Sequence, residues 1–457
     1  MEHFDHIIIG TGQATGTLLS AFLKAGSRVA VLEGWKVGGS CVNYGCTPTK
    51  TLVASAKAFH TAQRGAEYGF STGPVQLDYS RVLERMNSIR NSSNEGMKEW
   101  MEGEEQVTFL RGWGEFTGPK TVRCGEEELR GERIYINTGA KAVIPPIDGL
   151  EEVPYLNTDR MLELNELPEH LLIIGGGYIG VEFAQIYRRF GCEVTLIENE
   201  PHLMAQEDED TSEAIEEILA GEGVTLRLGA KAVKAAEQDG GVQLTLDKDG
   251  KQDTVSGSHL LLAVGRRPNT DRLALEKAGI ETTDKGYIAV DDYCRTSVPG
   301  IFAVGDVNGQ GAFTHTSVND AEIVLDFQKG GGRKLSDRIP IYALFSDPPL
   351  GRVGLTERQA AEQGYRVLRA KMPMEKISRA KEMGQTEGFA KLLVDGNTDR
   401  IIGAAILGPN GDEIINMFAA IMHSDIPCHE YRKVVLVHPT VSELMPFVLD
   451  GLEEVDR

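Results

Sequence analysis

The sequence IIGTG at residues 8–12 occurs again in altered form as IIGGG at residues 173–177. Adding 165 to a residue number carries Gly10 to Gly175, and the same offset relates three further pairs of residues. Those pairs are Gly12 with Gly177, Gly26 with Gly191, and Glu33 with Glu198. Four coincidences in one register indicate an internal repeat. The chain is therefore predicted to contain two related units.

Each copy shows the same local pattern of residues. An apolar run, the glycines, an amphipathic stretch, another glycine and a second apolar run follow one another, and the last run ends in Glu33 or Glu198. This order predicts a Rossmann unit, in which a helix N-terminus faces a pyrophosphate and the acid binds ribose hydroxyls. In the first copy Thr15 stands where the second has Gly180, and Gly16 follows. We expect the Thr15 side chain to push the helix slightly off the strand.

Length and charge restrict the class of protein. With 457 residues the chain is expected to form two to four domains. Its net charge of -21 argues against nucleic acid or an anionic membrane surface as a partner. No run of 18 apolar residues occurs, and the amino terminus enters an apolar strand without a cleavable signal. We expect a soluble cytoplasmic enzyme that acts on small molecules, and we predict no metal site.

The stretch GGSCVNYGCTPTK at residues 38–50 places Cys41 and Cys46 just after the first unit. On a regular helix their Cα atoms would be about 8.6 Å apart, whereas a disulfide tolerates about 7 Å at most. The two cysteines can pair only if the helix is interrupted, and Gly45 lies where it would permit this. Such a disulfide would be labile and redox-active. The other cysteines are expected to be structural: Cys124, Cys192, Cys294 and Cys428.

The carboxyl-terminal third has a different pattern. A Gly-rich basic stretch at residues 329–334 is predicted to be a linker. Beyond it we predict strands at residues 390–394 and 401–407 and a helix at residues 411–422. These elements indicate a separate α+β domain.

Together these motifs resemble those of the class I pyridine nucleotide-disulfide oxidoreductases, which include lipoamide dehydrogenase, glutathione reductase and mercuric reductase. The matching stretches are the first glycine turn, GGSCVNYGCTPTK, GGGYIG at 175–180, AVGRRPN at 263–269, FAVGD at 302–306 and VHPTVSE at 437–443. The resemblance implies an α/β fold with two Rossmann-like domains and a C-terminal α+β dimerisation domain. It assigns residues 1–147 and 271–337 to FAD, 148–270 to NAD, and 338–457 to the interface of a homodimer.

The resemblance also implies which residues bind the two cofactors. Asp306 would bind the ribityl-phosphate region of FAD, and Glu33 would bind its adenosine ribose. The other implied cofactor-binding residues are Gly10, Gly12 and Gly16 in the first unit, and Gly175, Gly177, Gly180, Glu198 and Gly265 in the second.

For catalysis, the resemblance implies that electrons pass from NADH through FAD to a Cys41–Cys46 disulfide. Cys46 would form the thiolate next to the flavin, and Cys41 would exchange with the substrate. His438, supplied by the partner subunit, would act as general acid and base. Glu443 would orient its ring.

Two further residues match an ion pair that the family places near the flavin N5. They are Lys50 and Glu182. His315 also lies near the expected flavin edge, and we interpret it as structural because nothing beside it in the sequence suggests proton transfer.

Fewer residues in the sequence indicate which electron donor and which electron acceptor the protein uses. No arginine follows Glu198 in the second fingerprint, so a 2′-phosphate would meet carboxylates alone, and we predict NADH over NADPH. Mercuric reductases carry a terminal cysteine pair, and here no cysteine follows Cys428. We therefore expect the mercuric-reductase-like branch that includes the reactive-chlorine-resistance oxidoreductases, with a disulfide or metal ion as acceptor. The alternatives are a dihydrolipoyl dehydrogenase subunit of a larger complex and a slowly turning over sensor that retains FAD.

Overall fold

A computed structural model describes residues 1–455 of the chain. The first unit begins with a parallel arrangement of strands around the first glycine turn. Its elements up to residue 142 are β1 (Glu2–Ile9), α1 (Ala14–Lys24), β2 (Val29–Glu33), α2 (Gly39–Asn43), α3 (Cys46–Gln63), α4 (Tyr79–Gly103), β3 (Val107–Arg111), β4 (Gly114–Gly118), β5 (Thr121–Cys124), β6 (Glu127–Ile136) and β7 (Ala140–Ala142).

The second unit follows directly and contains the second glycine turn. Its elements are α5 (Thr158–Met161), β8 (His170–Ile174), α6 (Tyr178–Arg189), β9 (Glu193–Glu198), α7 (Glu209–Gly221), β10 (Thr225–Leu228), β11 (Lys231–Gln238), β12 (Gly241–Lys248), β13 (Lys251–Gly257), β14 (His259–Leu262) and β15 (Arg266–Pro268). The chain then returns to the first unit through α8 (Leu275–Ala278), β16 (Ile301–Ala303) and α9 (Thr314–Gln328).

The third unit completes the described chain. It comprises β17 (Ile341–Leu344), β18 (Leu350–Gly354), α10 (Glu357–Glu362), β19 (Val367–Pro373), α11 (Ser378–Glu382), β20 (Phe389–Asp395), β21 (Arg400–Leu407), α12 (Gly411–His423), α13 (Cys428–Tyr431), α14 (Met445–Val448) and β22 (Glu453–Glu454). The strands predicted at 390–394 and 401–407 and the helix predicted at 411–422 are therefore confirmed to within one residue at each end. Residues 331–334 of the predicted linker have no regular structure.

Each of the three units contains one main β-sheet, and strand order and direction distinguish the three sheets. The first sheet has the order β3-β2-β1-β6-β5-β4, with β16 also paired to β6, and its strands β3, β2, β1, β6 and β16 are parallel. The second sheet, β10-β9-β8-β14, is parallel throughout. The third, β17-β18-β21-β20-β19-β22, is antiparallel. The predicted α/β fold, with two Rossmann-like units and a C-terminal α+β domain, is confirmed.

The internal repeat is visible in the backbone at both glycine turns. Gly10 and Gly175 have φ values of +99° and +111°, which favour glycine. A Cβ at Gly10 would lie 2.3 Å from the carbonyl oxygen of Asn137, and one at Gly175 would lie 2.5 Å from that of Ala263. Each turn therefore packs against the neighbouring strand so closely that a side chain is excluded.

The two units differ at the third fingerprint position. A Cβ at Gly180 would lie 1.8 Å from the carbonyl oxygen of Gly175, so α6 packs directly on the turn. In the first unit the Thr15 hydroxyl instead donates to the Gly10 carbonyl at 2.9 Å and accepts a hydrogen bond from the Asn137 amide. The space that Gly180 leaves for direct packing in the second unit therefore contains a hydrogen-bonded side chain in the first, and the expected displacement of α1 stays a prediction.

A buried ion-pair network joins the second and third units. The ammonium group of Lys391, which is 0% exposed, lies 2.6–2.9 Å from carboxylate oxygens of Asp208, Asp210 and Glu357. These three carboxylates are close enough together to bind a metal ion. Lys391 is within hydrogen-bond distance of all three, and each also pairs with a second cation: Asp208 with Arg352, Asp210 with Lys371 and Glu357 with Arg369. Because these cations balance the carboxylates, we assign the cluster a structural role.

Among residues 1–455, no helix combines the length and the apolar character needed to cross a bilayer. The four cysteines expected to be structural, Cys124, Cys192, Cys294 and Cys428, are all buried. Burial raises the pKa of each of these thiols, which keeps them protonated and unreactive.

Candidate active site

A cavity of about 1550 Å³ extends from the first glycine turn past the cysteine pair to the second glycine turn. This volume exceeds that of a typical pocket for one small molecule, which is about 300–1,000 Å³. Twelve of the residues predicted to act in catalysis or cofactor binding line it: Gly10, Gly12, Glu33, Cys41, Cys46, Lys50, Gly175, Gly177, Glu182, Glu198, Gly265 and Asp306.

Four predicted site residues do not line this cavity. They are Gly16, Gly180, His438 and Glu443. Gly180 instead allows the close packing of α6 on its turn. Gly16 makes no such approach, because a Cβ added there would meet no heavy atom within 4 Å. Its predicted part in cofactor binding therefore gains no support from its position in the fold.

Two helices begin at the cavity without side-chain caps. The N-cap residues are Gln13 for α1 and Gly177 for α6, and neither N-terminus receives a hydrogen bond from a capping side chain. Both residues line the cavity. Uncapped backbone N–H groups and the helix dipole together favour an anion such as a phosphate. In each repeat, one helix N-terminus at the cavity therefore has backbone N–H groups suited to a phosphate.

The two acids that end the repeats hold equivalent positions. The carboxylate of Glu33 accepts hydrogen bonds from the backbone N–H of Thr11 at 3.0 Å and of Trp35 at 2.7 Å. That of Glu198 accepts them from Gly176 at 2.6 Å and Glu200 at 2.8 Å. Backbone donors fix each carboxylate at the cavity wall, where an oxygen with two lone pairs can still accept from a ligand hydroxyl.

The cysteine pair lies where the helix is interrupted, as predicted. Cys41 is on α2, Tyr44 and Gly45 break the helical path, and Cys46 begins α3. Both thiols are free in this structure, with Cys41 half-buried and Cys46 exposed to the cavity. A disulfide between them remains a prediction.

The surroundings of the two sulfurs make their acidities unequal. A hydrogen bond from the Cys41 thiol, supported by Thr314 and the positive charge of Lys50, lowers the pKa of Cys46 to about 6. The hydrogen bond with Cys46, together with burial, raises the pKa of Cys41. At neutral pH the pair therefore holds one negative charge, and that charge resides on Cys46.

Lys50 and Glu182 form an ion pair at one side of the cysteines. The ammonium nitrogen lies 2.9 and 2.8 Å from the two carboxylate oxygens, so both are engaged. The backbone N–H of Phe345 also donates to Glu182 at 3.0 Å. This carboxylate is almost completely buried, whereas Lys50 is partly open to the cavity. The pair therefore directs a fixed positive charge into the cavity.

Asp306 lines the cavity. Burial raises the pKa of its carboxyl group, and the positive charge of Arg266, whose Nε lies 3.7 Å away, partly offsets this effect. Arg266 Nε is itself buried and has no hydrogen-bond partner within the described part of the chain. Arg266 and Asp306 lie in separate motifs of the chain, so no local pattern indicates this contact.

His438 is placed away from the cavity of its own chain. Its side chain is 77% exposed, and Nδ1 lies 2.9 Å from a carboxylate oxygen of Glu443. This contact fixes which ring nitrogen faces the carboxylate and leaves Nε2 pointing to the exterior. The predicted orienting contact therefore exists, but one chain alone does not bring His438 to Cys41.

Sequence reasoning missed Thr314 because it lies far along the chain from the cysteines. Its hydroxyl is 3.3 Å from Cys46 Sγ. A threonine at the start of a helix is usually interpreted as a cap, so no local signal could have revealed this contact. The adjacent His315 forms a hydrogen bond through Nε2 with the Ile341 carbonyl at 2.7 Å, and its ring stacks on Phe313. These contacts fit the structural role predicted for His315.

The cavity wall carries the groups needed to bind a flavin and a nicotinamide dinucleotide. Two uncapped helix ends are available for pyrophosphates, and two backbone-fixed acids are available for ribose hydroxyls. Both sets open into one cavity with the thiol pair between them. The donor and acceptor groups present therefore fit both dinucleotides.

Comparison with known proteins gave matches across nearly the whole chain. A model described as pyridine nucleotide-disulphide oxidoreductase matches residues 4–321, and the corresponding dimerisation domain matches residues 341–447. The probable pyridine nucleotide-disulfide oxidoreductase RclA of Escherichia coli is 36% identical over 453 residues, covering 97% of this chain and 98% of that protein. A solved Cu(II) complex of the HOCl-induced flavoprotein disulfide reductase RclA from the same organism has a TM-score of 0.89 at 35% identity, covering 99% of both chains.

Two other groups of enzymes show similar identity. Mercuric reductase of Lysinibacillus sphaericus is 30% identical over 444 residues, covering 97% of this chain and 81% of that protein. Dihydrolipoyl dehydrogenase of Geobacillus stearothermophilus is 31% identical over 448 residues, covering 96% and 94%.

Proposed function

This chain belongs to the pyridine nucleotide-disulphide oxidoreductase family, and we propose that it passes electrons from NADH through FAD to a Cys41–Cys46 disulfide and on to a disulfide or metal-ion acceptor. As a member of this family it is an oxidoreductase that uses a flavin and a pyridine nucleotide. The observation that carries the proposal is the single cavity that joins both glycine turns to the thiol pair. The match to a dimerisation domain supports a homodimer.

In this proposal the first repeat holds FAD and the second holds NADH. The N-terminus of α1 and Glu33 would bind the pyrophosphate and adenosine ribose of FAD, and the N-terminus of α6 and Glu198 would bind the corresponding groups of NADH. Asp306 would bind the ribityl-phosphate region. Bound FAD would supply hydride acceptance from the nicotinamide and two-electron transfer to the disulfide. Lys50, fixed by Glu182, would add a positive charge beside it.

The thiol chemistry is assigned to this chain's own residues. Two electrons and two protons convert the Cys41–Cys46 disulfide to two thiols, of which Cys46 loses its proton near neutral pH. The Cys41 sulfur, deprotonated by the partner subunit's His438, would attack an acceptor disulfide, form a mixed disulfide and release a thiolate. His438 would return the proton to that leaving group, and Cys46 would then displace the second thiol and reform the internal disulfide.

A metal ion is the other acceptor class that we propose. One solved RclA structure from E. coli is a Cu(II) complex, and thiolates bind well the soft ions Hg(II) and Cu(I), the product of one-electron reduction of Cu(II). Cys46 is exposed to the cavity, so a small ion could reach it. We accordingly include Cu(II) and Hg(II) with disulfides as candidate acceptors.

Anaerobic titration of the purified holoenzyme with NADH tests the central step. A long-wavelength thiolate-to-flavin absorption band should appear after two electrons have been added. Cys46→Ser should abolish this band, and Cys41→Ser should retain it. A folded, FAD-loaded wild-type protein in which no band develops would contradict the dithiol route.

The donor and acceptor need separate assays. We propose NADH because Glu198 would repel a 2′-phosphate, so a higher kcat/KM with NADPH would overturn that choice. Steady-state turnover with a panel of disulfides, Cu(II) and Hg(II) should identify the acceptor class. The 31% sequence identity with dihydrolipoyl dehydrogenase supports one alternative, namely that this chain is itself a dihydrolipoyl dehydrogenase. Efficient reduction of NAD by dihydrolipoamide would establish that alternative.

A further inference from the structure

Two of the three tryptophans in the chain are exposed at the rim of the same cavity. Trp35 and Trp113 are 54% and 50% exposed, and both line the cavity wall. The third, Trp100, is partly buried on α4 and packs against an apolar cluster. Aromatic side chains contribute large apolar areas to interfaces, so rings that remain exposed beside a cavity point to a ligand that covers them.

Trp113 is held beside the acid of the first repeat. The backbone N–H of Gly112 donates to the carbonyl of Glu33 at 2.9 Å. The indole itself lies over Gly34, where an added Cβ would come within 2.4 Å of Cδ2 of Trp113. The ring is therefore next to the residue that follows Glu33, and Gly34 is required there because any side chain would displace the indole.

Arg272 stacks on this indole. The guanidinium carbon lies 4.4 Å from the ring centroid, and Arg272 also lines the cavity. Within residues 1–455 its guanidinium group makes no hydrogen bond and no ion pair, whereas the nearby Arg267 is bound to Asp271. A planar guanidinium can stack between two aromatic rings. The five N–H donors of Arg272 are consequently free for a ligand.

We propose that Trp113 and Arg272 form a clamp for the adenine ring of FAD. This inference rests on the proposed function, because it takes the adenosine ribose to be bound at Glu33. From that ribose the adenine base is one bond away. Trp35 and Trp113 both lie close to Glu33, and we choose Trp113 because Arg272, a cation without a hydrogen-bond partner among residues 1–455, stacks on its ring. The base would stack on the face of the guanidinium that the indole leaves open, so that Arg272 lies between the two rings.

The test measures release of FAD and does not depend on turnover. Holoenzyme is diluted, and the increase in fluorescence of released FAD gives its dissociation constant. Trp113→Ala removes the ring that holds the guanidinium in the stack and should weaken FAD binding by about 5-fold to about 140-fold, the range for loss of one aromatic group from a base-stacking site. Arg272→Met should weaken it by roughly 2-fold to 5-fold. Trp113→Phe, which keeps an aromatic face, should recover part of the affinity.

Matched controls separate stacking from general damage. Trp100→Phe alters a tryptophan away from the cavity, and Arg267→Met removes a nearby arginine that does not line it. Both should release FAD as the wild-type protein does. With saturating FAD, all variants should show the wild-type circular dichroism spectrum, which would indicate an intact fold.

The outcomes distinguish this inference from the function on which it rests. If Trp113→Ala and Arg272→Met retain wild-type affinity for FAD, the clamp is wrong while the flavin site stands. If the same variants instead raise the KM for NADH, the pair serves the other dinucleotide and the inference is also wrong. A wild-type protein that does not bind FAD at all would overturn the proposed function itself.

Discussion

The hydroxyl group of Thr314 lies 3.3 Å from the sulfur of Cys46, although 268 residues separate the two in the chain. It reaches the cysteine because α9 begins at the cavity, directly opposite the start of α3. Together with Cys41 and Lys50, this hydroxyl stabilises a thiolate on Cys46. The acidity of the thiol pair thus depends on a contact between two distant parts of the first unit.

Thr314→Val should therefore raise the pKa of Cys46. In the wild-type protein this pKa is lowered to about 6, so the thiolate persists at neutral pH and is lost as the pH falls through about 6. A pH titration of the long-wavelength band in the two-electron-reduced holoenzyme would show a midpoint at higher pH in the valine variant. Thr314→Ser keeps the hydroxyl and should restore the wild-type midpoint. Identical midpoints in the valine and wild-type proteins would show that the contact does not tune this thiol.

His438→Ala should slow acceptor reduction while leaving reduction by NADH intact, because His438 acts only on thiol exchange in the proposed mechanism. Stopped-flow absorbance separates the two steps. A second measurement tests whether the partner subunit supplies His438 to the site that contains Cys41. Heterodimers formed between Cys41→Ser chains and His438→Ala chains should regain activity, since one of their two sites would combine an intact Cys41 with the partner's intact His438. Heterodimers as inactive as both parent homodimers would contradict a shared site.

Gly180→Ala and Gly16→Ala should have opposite effects on stability. A Cβ at Gly180 would lie 1.8 Å from the Gly175 carbonyl, and overpacking of this kind costs about 1–3 kcal/mol or more. A Cβ at Gly16 meets nothing within 4 Å, so alanine should stabilise α1 by about 0.4–1 kcal/mol. Urea unfolding of both variants provides the comparison. Gly180→Ala should also weaken NADH binding, and a normal KM for NADH would indicate that α6 can shift without consequence.

Lys391→Met should strongly destabilise the junction between the second and third units. The substitution leaves Asp208, Asp210 and Glu357 with no buried ammonium among them, and breaking a buried ion pair costs about 3–5 kcal/mol. Lys371 binds the same Asp210 from a partly exposed position, so Lys371→Met should cost only about 0–1 kcal/mol. Equal shifts in thermal unfolding for the two variants would refute a special role for the buried lysine.

Much of the fold follows from short stretches of sequence. The glycine turns, their flanking strands and the terminal acids Glu33 and Glu198 occupy equivalent positions because the Rossmann pattern is local, with φ values and side-chain periodicity set within about thirty residues. Helix geometry requires a break between Cys41 and Cys46 if they are to form a disulfide, and the chain is interrupted there. By contrast, the presence of Thr15 where the second repeat has glycine does not indicate that the threonine hydroxyl would donate a hydrogen bond to the Gly10 carbonyl.

The sequence alone therefore determined the two dinucleotide units, the interrupted helix with its thiol pair, and the α+β third unit, because each is encoded by neighbouring residues. Only the tertiary structure decided that Thr314 reaches Cys46 and that Lys391 lies among three carboxylates. It also decided that Arg272 stacks on Trp113 and that His438 lies outside the cavity of its own chain. These contacts join residues from different elements. They depend on how sheets and helices pack against one another, which local backbone preferences do not specify.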